Sequence, residues 1–101
     1  MKVSNVRIMY TGDKPAECDV MVLSLCTSHL LAGATIQPAQ SYLWVGGQLT
    51  KKDTHVISGS TRPNLISKIS ELIEGFEADV VSVSTHDTED AKFIRWFESH
   101  L

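Results

Sequence analysis

Apart from methionine sulfur, six side chains in this sequence could ligate a soft or borderline metal ion: His29, His55, His86, His100, Cys18 and Cys26. No two of them stand at a spacing that builds a site from one turn of chain, such as His-x-x-x-His on a helix or Cys-x-x-Cys. A metal site would have to be assembled by the fold or between copies of the chain. The densest polar cluster is His86-Asp87 with Glu89-Asp90, which offers an imidazole and carboxylates to a divalent metal such as copper or zinc. The competing reading is a strand-to-helix loop whose acids cap a helix and face water. His55, with the aromatic pair Tyr42 and Trp44, is the candidate lining of a small-ligand cleft. Tyr42 and Trp44 are two apart, so on a strand they project to the same side. Aromatic pairs on hairpins serve more often in packing, and Trp44 is expected to be buried as an anchor of the hairpin and of a subunit interface.

His29 falls near the end of a helix, where an imidazole can bond to the terminal carbonyls. Cys18 and Cys26 read as buried small hydrophobes, and on one helix they would stand about 12 Å apart along the axis, too far for a bridge. Serines, histidines and carboxylates are abundant, yet no nucleophile elbow, phosphate loop or acid pair frames them. Thr11-Gly12-Asp13 and Gly46-Gly47 read as turns.

These residues must be positioned within 101 residues, 43% of them hydrophobic, which is one core's worth and a single domain over 1–101. The net charge of -3 and a longest basic run of Lys51-Lys52 argue against nucleic acid as partner. The longest apolar run, Val20-Met21-Val22-Leu23, is far from the roughly 20 residues that span a bilayer, so no membrane is expected either. Met1–Tyr10 lacks a secretory apolar core, and the chain reads as cytoplasmic.

Asn5–Tyr10 alternates with period two and predicts a first strand, ending at Thr11-Gly12-Asp13. Asp13 as cap, Pro15 and Glu17 in the first turn, and Gly33 as stop predict a helix over Lys14–Leu31. The run Val20–Cys26 reads equally as a buried strand; length and caps favour helix. Thr35–Val45 and Gln48–Ser58 predict two strands joined by a Gly46-Gly47 turn. Thr61-Arg62-Pro63 opens a second helix with Leu65, Ile66, Ile69, Leu72 and Ile73 on one stripe, and Gly75 ends it. Ala78–Thr85 predicts a fourth strand, and Thr88-Glu89-Asp90 starts a last helix carrying Phe93, Ile94, Trp96 and Phe97. The order is that of an α+β ferredoxin-like β-α-β-β-α-β sandwich with an added C-terminal helix.

Two helices cover one face of such a sheet and leave the other to be covered, most economically by self-association. From Val20 through Thr50 there is no Asp, Glu, Lys or Arg, a depletion typical of subunit interfaces; the alternative is a surface of uncharged polar side chains.

The stretch Leu30-Leu31-Ala32-Gly33-Ala34-Thr35-Ile36-Gln37-Pro38 resembles the helix-to-strand junction of CutA divalent-ion-tolerance proteins, commonly Leu-Ala-Ala-Cys-Val-Asn-Ile-Ile-Pro. Tyr42-Leu43-Trp44-Val45-Gly46 resembles that family's Tyr-x-Trp-x-Gly hairpin, and Phe93 to Trp96 its closing Tyr-x-x-Trp. The resemblance spans nearly the whole chain. It departs at Gly33, which stands for the junction cysteine, and at Glu74-Gly75-Phe76-Glu77, which replaces a His-Pro-Tyr-Glu segment. It implies a homotrimer shaped like the nitrogen-regulatory PII proteins, with a divalent metal or small ligand in clefts between subunits and no catalytic role. The alternatives are a small enzyme using the same clefts with His86 or His55 as base, and a purely structural or interaction protein.

Overall fold

In the computed structural model, which describes residues 1–101, the chain runs β1 (Lys2–Tyr10), α1 (Pro15–Thr27), β2 (Ala34–Val45), β3 (Gln48–Thr61), α2 (Ile66–Ile73), β4 (Ala78–Asp87) and α3 (Ala91–His100). A single 3₁₀ turn, Pro63–Leu65, leads into α2. The strands form one antiparallel sheet in the order β2-β3-β1-β4. This is the expected ferredoxin-like α+β order with its extra helix.

Alternation along β1 buries Val6, Ile8 and Tyr10 on one face and leaves Asn5 and Arg7 on the other. Ile8 meets Ile57 of β3, which in turn meets Ile36 of β2. Onto this row α1 lays Met21, Val22 and Leu25, and α2 lays Ile69 and Ile73, forming the main core. Each fully buried aliphatic contributes about 1.5–3 kcal/mol. A second packing centre lies at α3. Asp90 caps that helix by accepting the Phe93 amide at 3.0 Å, and Phe97, fully buried, stacks on Phe93 at 5.7 Å beneath the Arg62 guanidinium.

The face bearing Asn5, Arg7, Ser58, Ser82 and Ser84 has no helix over it and is exposed in the single chain. Beyond the Tyr10–His55 pair β1 ends, so the outer part of the β2–β3 hairpin projects without a further neighbour. This arm gives the molecule its long dimension, 46 Å against 24 and 22 Å. Its turn is made by Gly46 (φ +57) and Gly47 (φ +79), the two positive angles of a type I′ turn. At the other end the chain closes on itself. Lys2 pairs with Asp87, and Met1 and Thr88 exchange hydrogen bonds of 3.1 and 2.9 Å.

Several boundaries differ from those expected. Helix α1 stops at Thr27, not Leu31, because His29 adopts a left-handed conformation (φ +58) and the amides of Leu30 and Leu31 turn back to the Leu25 carbonyl. Leu30 and Leu31 still enter the core, which is why they resembled helix. Asp13 does not cap α1; Lys14 occupies the N-cap without a side-chain bond. Strand β1 starts at Lys2 because β4 pairs along its full length. Strand β3 runs through Gly59 to Thr61, taking the residue expected to open α2. Gly59 is required there, since a Cβ would lie 2.6 Å from the Gly33 carbonyl. Strand β4 continues to Asp87, and its pairing with β1 shifts at Val81, a bulge between the Ile8 and Arg7 pairs.

Candidate functional site

His55 is the first residue of β3 to pair with β1, opposite Tyr10, and pairs with Pro38 of β2 on its other side. Its ring stands 6.2 Å from the Tyr10 ring, tilted by 60°. The Nδ1 atom is buried with no hydrogen-bond partner. His55 lines a cleft of about 480 Å³ together with Gly12, Asp13, Lys51, Lys52 and Asp53, and also a shallower one of about 280 Å³ toward Pro38 and Gln40. The register Tyr10–His55 brings the β1–α1 turn beside the Lys51–Asp53 segment.

Tyr10 braces this region. Its hydroxyl donates to the Lys14 carbonyl at 3.1 Å and to the Glu17 carboxylate at 3.4 Å. Burial, followed by the negative charge of Glu17, pushes the phenol above its ordinary pKa, so it remains a neutral donor. A Cβ on Gly12 would fall 2.3 Å from the Tyr10 hydroxyl, so the turn can pass over the phenol only as glycine.

A second cleft, about 520 Å³, opens between Thr11 and the turn after α2, with Glu74, Glu77 and Asp79 beside Phe76 and Ile73. Thr11 ties it shut at one end through its amide (2.8 Å) and hydroxyl (3.2 Å) to the Glu77 carbonyl. In the sequence Glu74–Glu77 shows only as a departure from the CutA pattern; the acid density around that turn is the one local signal of the cleft.

The other candidates lie apart. Tyr42 and Trp44 sit on the projecting hairpin, 66% and 75% exposed, and line none of these clefts. Tyr42 is roughly 13 Å along β2 from Pro38, the partner of His55. The expected burial of Trp44 does not occur within one chain, because the arm extends beyond the core that would cover it. His86 and Asp87 are successive residues of β4 and so point to opposite faces. The His29 imidazole does not bond the carbonyls at the end of α1, where only its backbone amide reaches the Cys26 carbonyl at 3.1 Å; its Nδ1 meets the His100 carbonyl at 3.0 Å, joining that bend to the end of α3.

Asp87 forms an ion pair with Lys2 at 3.0 Å. The Lys2 hydrogen bond and charge hold its carboxyl below the usual carboxylate range. A depressed folded-state value stabilises above the unfolded pKa, about 3.9, and the contribution is lost as pH falls through the lowered value. Both side chains are exposed, so the effect on stability is small. In Lys2→Met, an NMR pH titration should show Asp87 returning toward the ordinary range with the melting temperature little changed; an unmoved titration would discount Lys2 as the cause.

No group of three or more His, Cys, Asp or Glu side chains in one chain is placed so that it could hold a metal ion. Burial pushes the thiols of Cys18 and Cys26 up, Asp19 adding to the effect at Cys18, so both stay protonated and poor ligands at neutral pH. The donors of a single chain therefore do not fit a resident metal ion. Where the family places a cysteine, a Cβ on Gly33 would stand 3.4 Å from the Trp96 ring.

No family model and no curated protein sequence matches this chain. Solved structures do. The sheet order, the two covering helices and the terminal helix define a fold of the CutA type. The periplasmic divalent cation tolerance protein CutA from Archaeoglobus fulgidus shares it with a TM-score of 0.83 over 97% of each chain, at 14% identity. CutA1 from Oryza sativa gives 0.84 over 99% of this chain and 94% of that one, at 17% identity. CutA from Synechococcus elongatus, solved with a Bis-Tris molecule, gives 0.81 over 99% and 94%, at 13% identity. At such identity the likeness is one of fold. No helix is long and apolar enough to cross a membrane.

Proposed function

We propose that the chain is a CutA-like binding protein, one domain over residues 1–101, that works as a homotrimer in the cytoplasm and holds a divalent metal or small ligand in clefts between subunits without catalysing a reaction. The observation that carries this is the end-to-end likeness to CutA structures, which leaves neither chain with a substantial unmatched part. The surface supports self-association. Tyr42, Trp44, Val45 and Leu49 are exposed on an arm with no partner, and Val20 and Leu23 are exposed on a helix whose outer side carries few charges. A soluble monomer seldom leaves such residues clustered in the open. Because one chain does not assemble a metal site, ions would be held by donors from more than one copy, and weakly.

Sedimentation equilibrium at micromolar concentration should give three times the 11.2 kDa chain mass. A clean monomer would sink the proposal. Calorimetric titration of the same material with copper and zinc should show only weak binding. Stoichiometric submicromolar binding that persists in His86→Ala would overturn both the affinity and the choice of ligand.

A further inference from the structure

We propose that self-association of this chain encloses a small oxyanion, a phosphate or a carboxylate, on the open face of the sheet, bound by Arg7 and the serines on either side of it. The inference rests on the self-association proposed above and adds a ligand to it.

Arg7 is exposed in the middle of β1, on the side of the sheet that no helix covers. Ser58 of β3 and Ser82 of β4 stand directly opposite it, so all three side chains project to one face, each serine Cβ about 4.5–5.5 Å from that of Arg7. Two residues back along β1, Asn5 lies between Ser60 and Ser84, and Thr35 of β2 lies beyond Ser58. None of these six neighbours is charged. Loss of charge with an arginine retained is the composition of an interface core. The guanidinium has no acceptor of opposite charge, since the one ion pair in the chain is Lys2–Asp87. The carboxylate on this side of β4, Asp79, stands opposite Met9, and the extra residue Val81 sets it three positions from Ser82 instead of two. Asp79 lines the cleft beside Thr11 and Glu77 instead. Ser60 is already bonded to Asn5 at 3.1 Å, and Ser58 and Ser82 are neutral hydroxyls that cannot balance a charge.

In a single chain water solvates this guanidinium. Covered by other copies it becomes a buried charge without a counter-charge, which is costly, and rotational symmetry brings the same cation from each copy to the covered face. An oxyanion answers both difficulties. Its oxygens accept the forked N–H donors of arginine and the hydroxyl protons of Ser58 and Ser82, and its charge offsets more than one guanidinium. A metal cation does not fit this face, where it would meet a guanidinium and hydroxyls and no ligating carboxylate or imidazole beside Arg7.

The test is sedimentation of the full chain over a dilution series in sodium chloride, with inorganic phosphate or, separately, succinate replacing part of the chloride at constant ionic strength and pH. Either anion should tighten the assembly about tenfold or more, and the arm that does so identifies the source. Arg7→Gln and Arg7→Met change a side chain exposed in the single chain, so the fold should survive; both should assemble in chloride and lose the response to phosphate and succinate. Arg95→Gln, at an exposed arginine of α3, should keep it. Calorimetric titration of the assembled protein with the active anion should saturate at fewer than one anion per chain, and Arg7→Gln should bind none. An assembly indifferent to both anions in sedimentation and calorimetry, or a response unchanged in Arg7→Gln, would overturn the proposal and leave self-association standing. A monomer in every buffer would overturn the self-association on which it rests, so the two failures are told apart by mass.

Discussion

Phe97→Ala should lower the stability of the chain by about 3–5 kcal/mol, the usual cost of deleting a buried aromatic. Phe97 has no exposed surface although it lies in the last helix, only a few residues from the C-terminus. Its ring loses contact with Phe93 and with the overlying Arg62 guanidinium, and the cavity lies where α3 meets the body. Against a total of about 5–15 kcal/mol for a domain, the loss is large. Urea unfolding should show a lower midpoint with an unchanged slope. Trp96, 43% exposed on the same helix, should cost much less when truncated. Equal, small effects at both positions would mean that α3 is only an appendage and that Phe97 is not the contact that holds it.

Trp44→Ala should leave the fold of a single chain almost untouched and loosen the assembly. The indole is 75% exposed at the end of an arm that touches no core residue beyond its partner strand, so the isolated chain has little to lose. If the arm docks on a neighbouring copy, an aromatic at its centre has the character of a hot spot, at about 2 kcal/mol or more, roughly thirtyfold in dissociation. Sedimentation velocity over a dilution series reads this directly, alongside a thermal melt at concentrations below dissociation. An unchanged dissociation constant would remove Trp44 from the interface and leave Tyr42, Leu49 or the open sheet face to account for any association.

The elements most legible in the sequence are those in which pattern and packing coincide. The α2 stripe puts Ile69 and Ile73 inward because that helix has one wet face. The Gly46-Gly47 turn is legible because only glycine takes both positive angles cheaply. Helix α1 is harder, since Val20 and Leu23 remain exposed while Met21, Val22 and Leu25 are buried, and periodicity cannot separate them. Its true end depends on His29 in a conformation usually left to glycine or asparagine. Gly59–Thr61 has no apolar alternation because one side of that strand is open and the other needs Gly59 for close approach, so its strand character is hidden. The site was half visible for a related reason. His55 could be singled out by type, but Gly12 and Asp13 become its neighbours only through the Tyr10–His55 register, a long-range pairing that no local spacing encodes.

The pairing of Lys2 with Asp87 also bears on vectorial synthesis. Strand β1 leaves the ribosome ahead of the other strands of the sheet, yet one of its edges has no mate until β4 has been translated, roughly 4–15 s later at ordinary elongation rates. Throughout that interval the nascent chain can form the β2–β3 hairpin and dock β3 on β1, but the remaining edge of β1 stays open to any strand that reaches it. The chain's exposure to misassembly is therefore set by translation time as well as by folding rate, and slowing elongation between α2 and β4 would lengthen it.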